Sequence, residues 1–90
     1  AILIAPLYEE ILFRGILFPK LIQKAGLTNA LIITSLLFAG LHFHLPALLP
    51  LFRLSMLLSL VYWWSGSLWN CIAIHILFNA GSIALLLANN

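Results

Sequence analysis

Acidic side chains are almost missing from this 90-residue sequence: Glu9 and Glu10 are the only two, beside four Lys and Arg. Charged residues of both signs reach 7%, where a soluble domain carries about 25%. A net charge of +2 with no basic cluster excludes a nucleic-acid partner. Cys71 stands alone, which excludes an internal disulfide and a CxxC metal knuckle. No HExxH pair and no GxSxG elbow occurs. Ser35, Ser55, Ser59 and Ser82 have no local base, and no internal repeat or low-complexity linker divides the chain.

Apolar residues, by contrast, make up 64% of the chain, against about 45–50% in soluble domains. Mean hydropathy is +1.18. A domain this small buries the smallest share of its surface, so the surplus has to face lipid. The expected fold is therefore all-α: a polytopic transmembrane bundle of about four helices forming one domain over residues 1–90. Strands are excluded because open sheet edges are not tolerated in lipid and four strands cannot close a barrel. Beginning at Ala1, the chain reads as a fragment of a longer protein.

Turn signals mark the helix limits. The first helix is expected from Ala1 to about Ala25, kinked or shortened by Pro19, with Gly26 just past its end. Thr28 is the expected N-cap of a second helix, Asn29 to His42, which is short beside the roughly 20 residues of a full span. Pro46 separates it from a third helix, about Ala47 to Trp64, with Pro50 in its first turn. Ser65-Gly66-Ser67 turns the chain, and Ser67 caps a fourth helix from about Leu68 to Leu87. Tyr62, Trp63, Trp64 and Trp69 read as an interfacial aromatic belt. By alternation, the start of the first helix shares one side of the membrane with the end of the second. Lys20 and Lys24 mark the other side as cytoplasmic.

Charged groups inside a bilayer cost about 2.5–3.5 kcal/mol each on insertion scales, and those that persist are usually functional. Here the polar set is Glu9, Glu10, Arg14, His42, His44, Arg53, His75 and Asn79. Glu10 and Arg14 are four apart, acid first, the favourable order for an ion pair on one helix face. Glu9 is turned about 100° from Glu10. It is expected to point elsewhere without a partner on its own helix, as suits a general base. His42 ends the second helix on the same side as Glu9, whereas His44 is expected to be interfacial. His75 and Asn79, one turn apart, present two donors suited to an oxyanion, or else a plain interhelical hydrogen bond worth about 0.6 kcal/mol. Cys71 and His75 share a face, although a small buried hydrophobe is the simpler account of the cysteine. Glu9, His42 and His75 also have the ligand types of a zinc site. Arg53 either snorkels to the interface or attracts a substrate carboxylate.

Together these residues resemble a known family. Glu9-Glu10-Ile11-Leu12-Phe13-Arg14-Gly15 is similar to the EExxxR motif of the CAAX protease and bacteriocin-processing (CPBP or Abi) family. Phe38-Ala39-Gly40-Leu41-His42 resembles its FxxxH motif, and His75-Ile76-Leu77-Phe78-Asn79 its HxxxN motif. Gly66-Ser67-Leu68-Trp69 before the last helix is similar as well. The resemblance implies the core of a larger intramembrane endopeptidase, related to the type II CAAX prenyl endopeptidases, in a prokaryotic cell membrane. It implies Glu9 as catalytic glutamate, His42 as the histidine that helps activate water, His75 and Asn79 as the oxyanion hole, and Glu10 with Arg14 in support. Implied partners are membrane lipids and a membrane-associated or lipidated protein or peptide substrate. The cofactor is either none or Zn2+ on Glu9, His42 and His75. Two other readings stand beside catalysis: a membrane scaffold or bacteriocin-immunity protein of the same fold, and a proton or ion pathway.

Overall fold

Four helices account for nearly all of residues 4–89, which the computed structural model describes. Helix α1 covers residues 4–25. It winds as an α-helix over Ile4–Glu10, as a π-helix over Ile11–Leu17, and as an α-helix again over Phe18–Ala25. Helix α2 is Leu27–Gly40; a 3-10 turn, Leu45–Ala47, leads into α3, Leu48–Ser65; α4 is Leu68–Ala88. No strand occurs among the described residues. The all-helical architecture expected from the sequence is the one observed. Leu45–Ser65 and Leu68–Ala88, 21 residues each, are long and apolar enough to cross a membrane, whereas α2 has only 14.

Pro19 leaves α1 unbroken, and the π segment shows how. A proline lacks an N–H and drives its ring against the carbonyl four residues back. The turn ahead of it is widened to i→i+5 bonding, with the Phe18 N–H donating to Phe13 O. The strain expected at Pro19 is thus taken up in the preceding turn.

Gly26 does the work that the sequence assigned to Thr28. Its N–H donates to Ile22 O at 2.9 Å, closing α1, and its carbonyl accepts from Ala30 N at 3.0 Å, opening α2. The connection is this single residue, at φ 87° and ψ 168°. That conformation is open essentially to glycine alone. Thr28 therefore lies inside α2 rather than capping it. Gly26→Ala is expected to cost about 1–3 kcal/mol, read as a lowered unfolding midpoint in detergent micelles; an unchanged midpoint would contradict the strain argument.

Helix α2 also ends earlier than expected. His42 lies beyond Gly40, in a turn where its N–H donates to Ala39 O at 3.3 Å and Phe43 adopts φ 52°. Ser67 behaves as expected, its Oγ accepting from Asn70 N at 3.3 Å. The aromatic belt needs one correction: Trp63, Trp64 and Trp69 are exposed, but Tyr62 turns inward and packs edge-on to Phe18 at 6.5 Å.

The bundle is apolar outside and partly polar inside. Large hydrophobics are exposed along all four helices, while Thr34, Ser35, Ser55 and Ser59 are fully buried. Small polar side chains let membrane helices approach closely and find partners across the interface. Helix α2 packs on α3 and on the C-terminal part of α1, and α4 packs on α3 and on the first turns of α1. Phe13, Phe38, Leu54, Leu58 and Cys71 fill the centre, with Phe13 edge-on to Phe38 at 5.3 Å. This packing brings the Glu9–Glu10 end of α1 to the middle of α4.

Candidate active site

Glu10 and Arg14 are both at 0% exposure. Glu10 Oε1 lies 3.4 Å from Arg14 Nε, the i,i+4 ion pair expected from the sequence. It is an ion pair without hydrogen-bond alignment, for neither atom has a hydrogen-bond partner among the described residues. Arg14 also stands over the Phe38 ring, 4.7 Å from its centroid. Its Nη2 reaches α3 and donates to Ser55 Oγ at 2.9 Å and Ser55 O at 3.1 Å. The charge is thus neutralised on its own helix and anchored on another, the condition for tolerating a buried guanidinium.

His75 joins both acids. Its Nδ1 is 2.7 Å from Glu10 Oε2, and its Nε2 is 3.3 Å from Glu9 Oε1. Glu9 therefore does not point away from Glu10's environment. Its neighbours come from other helices, which the 100° rotation within α1 could not reveal. On its other oxygen, Glu9 Oε2 faces His42 Nε2 at 3.7 Å. His42 Nδ1 is 2.6 Å from Phe38 O. A carbonyl only accepts, so Nδ1 carries the proton there; in the tautomer with that single proton, Nε2 presents a lone pair toward Glu9.

Exposure grades the cluster. The Glu10 and Arg14 side chains are sealed and His75 is 3% exposed, while Glu9 and His42 remain 30% and 32% exposed. The accessible pair is the one able to meet water and substrate. Asn79, one turn from His75 on α4, is half-buried and makes no side-chain hydrogen bond among the described residues. Cys71 is buried and bonds Leu58 O at 3.2 Å, so it belongs to the core rather than to a thiol site. His44 and Arg53 are exposed outside the cluster. In the sequence Ser55 figured only as a serine without a local base; its bond to Arg14 was not legible, because a serine in an apolar helix carries no signal of a partner on another helix.

The sequence matches the family described as type II CAAX prenyl endopeptidase, Rce1-like, over residues 1–81. The chain belongs to the Rce1-like family. Comparison with curated proteins and with solved structures gives no match. The matched span holds Glu9, Glu10, Arg14, His42, His75 and Asn79, hence every polar residue of the cluster. Membership of this endopeptidase family, with two helices able to cross a bilayer, makes the chain a membrane protein of protease type.

A zinc ion on Glu9, His42 and His75 finds a poor fit. The two imidazoles address different oxygens of Glu9 instead of a shared point. Among the described residues, no three His, Cys, Asp or Glu side chains are grouped to hold a metal ion.

Proposed function

We propose that this Rce1-like chain is the catalytic core of a multi-pass intramembrane endopeptidase that hydrolyses a peptide bond with water activated by Glu9 and His42. The carrying observation is Glu9 itself, with one carboxylate oxygen toward His42 and the other toward His75. At 3.7 Å, Glu9 Oε2 and His42 Nε2 are too far apart for a direct hydrogen bond and well placed to share one water. Both are acceptors, so such a water donates a hydrogen to each and leaves a lone pair free for the scissile carbonyl carbon. As the C–O bond forms, Glu9 takes the water proton, which it then delivers to the departing amine as the C–N bond breaks.

His75 supports this role from behind. Its Nδ1–H donates to Glu10, and its Nε2 stands 3.3 Å from Glu9 Oε1, so the imidazole is held by one acid and placed against the other. Asn79, on the same face one turn along, supplies an amide N–H for the oxyanion, with the His75 ring beside it. Substrates are membrane-associated or lipidated peptides, since Glu9 opens onto an apolar surface of Tyr8, Ile11, Leu12 and Ile16. No step passes through a metal.

The test is cleavage of a lipidated reporter peptide by the protein in proteoliposomes, with fragments mapped by mass spectrometry. Cleavage at one internal bond, equal with and without a strong chelator, is the expected outcome. Intact peptide after long incubation across a panel of lipidated and unlipidated reporters would overturn the reading.

A further inference from the structure

We infer that Ser55 is a positioning residue for the proposed hydrolysis: it fixes the Arg14 guanidinium so that Glu10 holds His75 against Glu9. The inference rests on the catalytic reading above but draws on other contacts. A guanidinium has five N–H donors in a rigid plane. Among the described residues, Arg14 makes hydrogen bonds through Nη2 alone, and both go to Ser55. Its Nε and Nη1 make none. The Phe38 ring attracts the cation from one face but leaves it free to turn in its own plane. The setting of that plane, and with it the charge next to Glu10 Oε1, is therefore governed from α3.

The next link is as narrow. The one hydrogen bond of the Glu10 carboxylate among the described residues is with His75 Nδ1, at 2.7 Å. A line of contacts runs Ser55, Arg14, Glu10, His75, Glu9, crossing from α3 to α1, to α4 and back to α1. Serines in helices commonly bond a carbonyl one turn back, as Ser65 does with Val61 O at 2.7 Å. Ser55 instead turns its Oγ to a residue 41 positions away in sequence.

Two variants test the assignment. Ser55→Ala removes the hydroxyl bond and keeps the carbonyl bond; Ser55→Thr keeps both acceptors. The first readout is the set of ring 15N chemical shifts in histidine-labelled protein, which contains only His42, His44 and His75. Ser55→Ala is expected to move the His75 nitrogens and leave His44 in place, and Ser55→Thr to restore them. The second readout is kinetic: kcat falls about tenfold in Ser55→Ala with KM within about twofold, and recovers in Ser55→Thr. Ser59→Ala, one turn away and equally buried but without a hydrogen bond, controls for the loss of a buried hydroxyl and should leave both readouts unchanged. His75 nitrogens that stay put in an active Ser55→Ala protein, or a Ser55→Thr as impaired as Ser55→Ala, would overturn the role of Ser55. A parental protein without Glu9-dependent hydrolysis would instead remove the catalytic reading.

Discussion

Glu9→Gln is expected to lower kcat by roughly a hundred- to ten-thousandfold, the usual range for a lost general base, while the bundle stays folded. Glutamine keeps the shape and both polar atoms of the side chain but cannot take up a proton from water. The fold tolerates the change because Glu9 is partly open to solvent, and the sealed Glu10–Arg14 pair is untouched. KM should move little, since the variant loses an interaction with the reacting water rather than with the resting substrate. Reporter turnover and helical circular dichroism, measured on one preparation, separate chemistry from folding. Parental kcat in a folded Glu9→Gln protein would rule Glu9 out as the base.

Arg14→Met should have the opposite character, with stability as the main loss. Removing one partner of a fully buried ion pair leaves the other charge without compensation and costs about 3–5 kcal/mol. Glu10 would keep His75 but lose the guanidinium 3.4 Å away. The double variant Glu10→Gln/Arg14→Met removes both charges and should recover much of that loss, because well-packed neutral residues often replace a buried pair at little cost. With Glu10→Gln as the second single variant, the loss in the double variant minus the summed losses of the two singles gives the coupling. Arg14→Lys is not a mild substitution here, since an ammonium lacks the planar fork that reaches Ser55 and Glu10 together. Equilibrium unfolding in mixed micelles measures the four proteins of this cycle and Arg14→Lys beside them. Independent, additive losses would refute the coupling.

The two halves of the problem were legible to different degrees, for physical reasons. Helix number and approximate limits followed from apolar runs broken at Gly26 and at Ser65-Gly66-Ser67, because chain reversal demands particular residues. The polar cluster followed from scarcity: with two acids in the whole chain, each had to be accounted for. Partners across helices did not follow. The period of α1 alone said that Glu10 meets Arg14, yet whether Glu9 meets His42, His75 or lipid depends on how three helices are rotated against one another. The same limit hid the turn of Tyr62 toward Phe18 and the bond from Arg14 to Ser55. Thr28 misled for a local reason. Threonine is a good cap, but a connection one glycine long leaves it no place outside the helix.

The π-wound stretch Ile11–Leu17 sets the two ends of α1 at a rotation that a uniform α-helix would not give them. In a uniform α-helix, the azimuth of Glu9 and Glu10 would dictate that of Phe18, Leu21 and Ile22 through a fixed 3.6-residue pitch. The wider winding inserts a phase offset between them. With that offset the acids face His75 on α4 while Phe18 is seated against Ala30 and Leu31 on α2. Removing a single residue from this stretch would not merely shorten the helix; it would reset one end against the other, and the acids and the packing side chains could no longer both be in register.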